Sequence, residues 1–168
     1  METTAFFNEL IQLLTQENDV HKHLIAVAND INKSTRAKNI EAIQQNCKIY
    51  DEHICSLERI EERRIEVCER LQNALSGKAP SGRLITLAEF CEPEQKKRLL
   101  EQKAALTKLV TELKAVNTSN TVLFREALGE INASVNIIRT SAQPKNGYRH
   151  KGDFKPAKSG RSIFNEVI

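Results

Sequence analysis

Charged side chains that could perform acid–base chemistry lie close together along residues 58–64, which read Glu-Arg-Ile-Glu-Glu-Arg-Arg. Two carboxylates at a suitable distance can act as general acid and general base. Each of these glutamates, however, has a guanidinium within one helical turn. Ion pairing on a helix surface is the commoner reason for such a pattern. We therefore expect no catalytic carboxylate pair here.

The histidines and cysteines are not spaced as metal ligands or catalytic nucleophiles. His21 and His23 point to different sides of a helix, as do His53 and Cys55. The sequence contains no Cys-x-x-Cys pair, no phosphate-binding loop and no protease or hydrolase motif. The cysteines are instead typical of small buried thiols in a reducing, cytoplasmic compartment. We predict a protein that is not an enzyme and has no metal or cofactor.

The composition favours helices and disfavours several classes of protein. The length of 168 residues suits one domain, with or without a tail. Six glycines and four prolines are too few for the many turns of a β-sandwich or barrel. The chain has no tryptophan and only 5% aromatic residues, which disfavours a base-stacking surface. We expect no signal peptide, because the N-terminus has neither a basic region nor a long apolar run. We expect no membrane insertion, because no stretch approaches about 20 apolar residues.

Three long segments show apolar residues at three- and four-residue steps, which is the pattern of a helix that buries one side. They span residues 3–32, 36–76 and 93–139. Turn-forming residues separate the first two near 32–35, and glycine and proline interrupt the chain at 76–82. A short apolar piece at 84–91 fits one or two helical turns. The predicted fold is all-α: an elongated antiparallel helical bundle or coiled coil of three long helices and one short helix.

The last 29 residues differ from the rest in charge and composition. Residues 140–168 carry six basic and two acidic side chains, a net charge of +4, which leaves −1 for residues 1–139. Proline, glycine and scattered charge predict a disordered tail, so we place the domain boundary at 139/140. Residues 163–168 are apolar again. They are either a recognition peptide or a segment that folds back onto the helical body.

Polar residues interrupt the apolar seams of the long helices. If the first two helices form an antiparallel hairpin that turns near residue 35, the numbers of two facing residues add up to about 70. If the last helix runs back along the second one, the numbers of two facing residues add up to about 170. Glu17, Asn117 and Asn120 then meet near Tyr50, which predicts one structural polar layer that fixes the register. We would then expect replacement of both asparagines by leucine to preserve or raise stability.

The end of the last helix has apolar residues without a predicted partner in the same chain. By the same rule, position 131 faces position 39, and position 138 lies beyond the start of helix 2. Apolar side chains left without a partner are candidates for binding another protein. These candidates are Phe124, Leu128, Ile131, Val135 and Ile138. Alternatively, helix 1 or residues 163–168 could cover them.

The order of several short motifs resembles a known family. Ile60-Glu61-Glu62-Arg63-Arg64 lies in a long helical hairpin, and the Thr-Leu-Ala-Glu-Phe segment follows at 86–90. An Asn-x-x-Asn step at 117–120 lies in the next long helix, and Tyr148 and Gly152 follow in the tail. This arrangement is similar to the FlgN-type flagellar export chaperones.

The resemblance implies a non-enzymatic cytoplasmic chaperone. Its partners would be FlgK and FlgL, the hook–filament junction proteins, whose aggregation-prone C-terminal helical segment it covers before export. It would also dock on the cytoplasmic domain of the export-gate protein FlhA, with Tyr148 contributing. Such a chaperone should be a monomer or a weak homodimer.

Two other readings remain open at the level of sequence. A structural coiled-coil dimer or adaptor would fill the apolar seams with a second copy of the chain. Nucleic-acid binding by the tail would depend on its net charge of +4, but this charge is modest and no aromatic platform accompanies it. We therefore expect no nucleic-acid partner.

Overall fold

The computed structural model describes residues 2–75 and 84–141, and these residues are helical with short connections. The helices are α1 (Glu2–Arg36), α2 (Ile40–Ala74), α3 (Leu84–Leu87) and α4 (Pro93–Ser141). No strand occurs in these two ranges. The all-α prediction with three long helices and one short one is confirmed. The predicted break at 76–82 lies outside the described residues. So does the predicted disordered tail, except for residues 140 and 141, which belong to α4.

The turn between α1 and α2 lies later than the sequence predicted. The hydroxyls of Ser34 and Thr35 donate to the carbonyl oxygens of Asp30 and Ile31 inside α1, so they do not end the helix. The chain reverses at residues 37–39, where Lys38 has a φ of 54°. Asn39 then caps α2, because its side-chain oxygen accepts a hydrogen bond from the Ala42 amide at 3.1 Å.

This later turn changes the register of the α1–α2 hairpin. Cross-helix contacts join Ser34 to Asn46 and Glu17 to Arg64, and the rings of His23 and His53 stack with centroids 5.5 Å apart. The paired numbers add up to about 76–81 rather than the predicted 70. A turn centred near residue 38 accounts for most of the difference, since paired positions in an antiparallel hairpin sum to about twice the number at the turn.

The main hydrophobic core lies where the first half of α1 meets the second half of α2, α3 and the start of α4. Leu10 and Leu14 of α1 and Leu71 of α2 are fully buried there, and Leu87 and Leu99 join them from α3 and α4. Burying a leucine side chain contributes roughly 1.5–3 kcal/mol. The short helix α3 therefore has a structural role, because it closes this end of the core.

The helix α4 begins at Pro93, as predicted, and continues through Gly129 without interruption. Proline suits the first turn of a helix because the amide it lacks would have no partner there. The chain divides into two compact units, Met1–Phe124 and Arg125–Ile168, and each is described by itself below. The boundary predicted at 139/140 remains a prediction.

Candidate functional site

No constellation suited to catalysis is found in the described ranges. Among residues 2–75 and 84–141, no group of three or more His, Cys, Asp or Glu side chains could hold a metal ion. Burial raises the pKa of the Cys68 and Cys91 thiols, which disfavours the reactive thiolate. None of the described helices combines the length and the hydropathy that crossing a bilayer requires.

A buried ion pair joins α1 to α2. Glu17 is only 1% exposed, and its carboxylate accepts a hydrogen bond from Nε of Arg64 at 2.5 Å. Burial raises the pKa of Glu17, although Arg64 acts in the opposite direction. The sequence placed Glu17 near position 53, and that placement is wrong because the hairpin turns later than expected. Its partner is Arg64, which the sequence suggested only as a surface charge near Glu61 and Glu62.

The two asparagines of α4 lie at another level of the first unit and bond to different helices. Nδ2 of Asn117 donates to the hydroxyl of Tyr50 in α2 at 2.8 Å. Asn120 instead meets α1: it donates to the Ala28 carbonyl at 2.8 Å and accepts from Nδ2 of Asn32 at 2.7 Å. The predicted register instead placed Asn117 opposite position 53 and Asn120 opposite Tyr50, so the observed partners differ from the predicted ones. Glu17 pairs with Arg64 at a separate level of the first unit. The four residues predicted to form one polar layer therefore do not do so; they are Glu17, Tyr50, Asn117 and Asn120.

Three pairs of side-chain amides link α1 to α4, and none of these pairings was predicted from the sequence. Gln95 donates to the side chain of Asn8 at 2.9 Å, and Asn18 donates to that of Gln102 at 2.6 Å. The bond between Asn32 and Asn120 completes the series. Gln95 and Gln102 are seven residues apart, so they could have been recognised as polar members of the α4 seam. Amide pairs of this kind fix register more than they add stability.

Replacing Asn120 by leucine should lower stability rather than preserve it. Asn120 is buried, so the substitution removes two hydrogen bonds and leaves the Asn32 amide without its acceptor. We expect Asn120→Leu to lower the free energy of unfolding by about 1–3 kcal/mol in urea titrations.

Asn117→Leu is the matched control for Asn120→Leu. It should cost less, because Asn117 is only half-buried and the half-buried Tyr50 hydroxyl can turn towards water. Equal losses in the two variants would contradict the assigned contacts.

A shallow depression in the first unit lies where α1, α2 and α4 approach one another. Ile31, Tyr50, Asn117 and Thr121 line it, and Phe124 stands half-buried at its edge. Its volume is about 210 Å³. Of the five residues predicted to bind a partner, Phe124 is the one that belongs to this unit.

The other four predicted contacts form a stripe of exposed apolar side chains in the second unit. Leu128, Ile131 and Ile138 are 58–59% exposed and Val135 is 39% exposed. Steps of three, four and three residues place all four on one side of the helix. We call these four residues the exposed stripe. Ile137 is 67% exposed but points about 100° away from Ile138.

Comparison with known proteins identifies the family. The family model described as FlgN protein matches residues 1–155. The chain belongs to the FlgN family. Comparison with curated proteins and with solved structures gave no match. The matched range includes the exposed stripe and Tyr148, which itself lies outside the described residues.

Membership of the FlgN family confirms the resemblance seen in the sequence and gives the chain the role of a flagellar export chaperone. In this FlgN-family chain, Glu17, Arg64 and the amide partners other than the exposed Asn8 are buried or half-buried, and each side chain bonds to its partner within the first unit. They therefore serve its architecture. The exposed stripe is different, because none of the residues that the structure describes covers its large apolar side chains.

Proposed function

We propose that this FlgN-family chain binds the C-terminal helical segment of the junction proteins FlgK and FlgL through the exposed stripe. The observation that carries the proposal is the exposure of Leu128, Ile131, Val135 and Ile138 on one side of a helix. Their three- and four-residue steps match the seam of a coiled coil, so an amphipathic partner helix can pack along it. Phe124 is proposed as a further contact of the same partner.

The proposed function is to keep an aggregation-prone helix covered in the cytoplasm until export. Exposed apolar patches on a folded chain usually mark sites of protein binding. A partner segment with its own apolar side would otherwise associate with other copies of itself. The chaperone would act by supplying the missing half of the interface, and it would deliver the complex to the cytoplasmic domain of FlhA.

Purified chain mixed with FlgK or FlgL and analysed by size exclusion with light scattering tests this proposal. We expect a monomer or weak dimer of the free chain and a complex of one chaperone with one junction protein. Truncation of the C-terminal helical segment of the junction protein should abolish the complex. A free chain that stays dimeric at nanomolar concentration and forms no complex would support the alternative, a structural coiled-coil adaptor.

We propose that Tyr148 contributes to docking on the cytoplasmic domain of FlhA. We expect Tyr148→Ala to leave binding of FlgK unchanged and to weaken binding to the cytoplasmic domain of FlhA by at least tenfold in titration calorimetry. The reason is that tyrosine supplies a large apolar ring with a polar end, a common anchor at interfaces.

The nearby substitution His150→Ala is the control for Tyr148→Ala and should affect neither partner. Loss of FlgK binding in Tyr148→Ala, with binding to FlhA retained, would contradict this division of roles.

A further inference from the structure

A second apolar element follows the described residues in the sequence. Residues 163–168 read Ile-Phe-Asn-Glu-Val-Ile. Ile163 and Val167 are four residues apart, as are Phe164 and Ile168, so one or two helical turns would place all four on one side. This element lies beyond residue 155, where the match to the FlgN family model ends. The shared family function therefore gives no reason for it.

The exposed stripe is a suitable site for this element. The stripe presents four large apolar side chains along eleven residues of helix, a length of about 15 Å. No described residue covers it. Soluble chains seldom leave a contiguous apolar patch of this kind unoccupied.

The intervening chain has the right length to bring the two elements together. Residues 142–162 separate the last described turn of α4 from the apolar element. A stretch of 21 residues can reach up to about 70 Å, several times the length of the stripe, so it is long enough for the two elements to meet. Tethering on this scale gives an effective concentration in the millimolar range, so even a weakly binding segment would be held for much of the time.

We propose that residues 163–168 dock on the exposed stripe of their own chain and must be displaced by the partner helix. The docking step depends only on the stripe and the apolar element, whereas the competition step rests on the proposed function. Docking protects the stripe from self-association while no substrate is bound. It also lowers the apparent affinity for substrate, because only molecules with a free stripe can bind the partner helix.

A single tryptophan gives a direct measurement of docking, because the natural sequence contains none. In the full-length Phe164→Trp variant, we expect fluorescence emission that is blue-shifted relative to the same protein in denaturant, because the indole lies against apolar side chains. Adding Ile138→Asp should shift the emission to the red. Adding Ile137→Asp should not, since Ile137 is also exposed but points away from the stripe. The blue shift should be the same at all protein concentrations.

Three results would overturn docking within the chain. These are emission identical to that of the denatured protein, a blue shift that Ile138→Asp leaves unchanged, and a blue shift that grows with protein concentration. The last would show that a second copy occupies the stripe.

Titration of the Phe164→Trp variant with a peptide of the FlgK C-terminal segment tests competition separately from docking. Displacement of the introduced indole into water supports competition. Peptide binding with an unchanged emission would overturn it. If the tryptophan is docked and the peptide does not bind at all, the proposed function fails while docking stands.

If competition holds, the double variant Phe164→Asp with Ile168→Asp should bind the FlgK peptide two- to tenfold more tightly than the natural sequence, because its stripe is free. The matched substitution of Asn165 by Asp, on the other side of the element, should leave the affinity unchanged. Equal affinities for the double variant and the natural sequence would contradict the competition step.

Discussion

Arg64→Met should lower the free energy of unfolding at pH 7 by about 3 kcal/mol. The substitution leaves the carboxylate of Glu17, which is only 1% exposed, without its ion-pair partner. Removing one member of a buried pair typically costs 3–5 kcal/mol. The lower end applies because the Arg64 side chain is itself 24% exposed, so water can reach part of the site. Urea unfolding followed by circular dichroism measures the loss.

Two neighbouring substitutions serve as controls for Arg64→Met. Arg63 pairs with Glu9 at 3.4 Å on the surface, so Arg63→Met should change stability by less than about 1 kcal/mol. Glu17→Gln removes the buried charge and keeps an oxygen that can accept from Arg64, so it should cost much less than Arg64→Met. Similar small losses for Arg63→Met and Arg64→Met would show that the buried pair does not stabilise the fold as described.

Acidification should partly rescue the Arg64→Met variant. In the natural chain, burial already raises the pKa of Glu17 above its ordinary value of 4.5. The folded state therefore binds this proton more tightly than the unfolded state does. The contribution of Glu17 to stability is thus fully present below pH 4.5 and is lost as the pH rises through the raised pKa. Arg64 lowers this pKa, so its removal should enlarge the effect, and the variant should approach the natural chain in stability as the pH falls towards 4.5.

The double variant Val135→Asp with Ile138→Asp should lose at least 100-fold in affinity for the junction protein. A partner helix on the exposed stripe would bury both new carboxylates against apolar side chains, which costs several kcal/mol. Each 1.4 kcal/mol corresponds to a factor of ten in affinity. Titration calorimetry with FlgK measures the loss.

The melting temperature of the free double variant should hardly change, because no described residue buries Val135 or Ile138. The matched control, Val122→Asp with Ile137→Asp, replaces two exposed residues off the stripe and should bind normally. Unfolding of the double variant would place these residues in a core. Normal binding by a folded double variant would place the substrate site elsewhere.

The helices were predictable from sequence because each depends on local residues. The heptad-like steps gave the three long helices, and Pro93 gave the start of α4. The register of the hairpin was not predictable, since it depends on whether Ser34 and Thr35 cap a helix or continue one. Both hydroxyls found carbonyl oxygens within α1. The turn therefore lies at Lys38 and Asn39, and the residues that face each other across α1 and α2 differ from the predicted pairs.

The candidate site was predictable in part for the same reason. The exposed stripe was suggested by apolar residues at helical spacing on α4 for which the predicted hairpin offered no partner in the chain. The polar contacts depend on register, so Glu17 was assigned to the wrong level. The amides of Asn8, Asn18 and Asn32 looked like ordinary polar residues of α1, since only the packing of α4 against α1 reveals their partners.

Amide hydrogen exchange on the free chaperone and on its complex with FlgK tests the central claim most directly, because it maps the partner without any substitution. If the exposed stripe holds the junction-protein helix, peptides that cover residues 124–138 should gain protection in the complex, whereas those from the buried first half of α1 should change little. A stable complex in which residues 124–138 exchange as fast as in the free chain, with new protection confined to other parts of the chain, would contradict the claim.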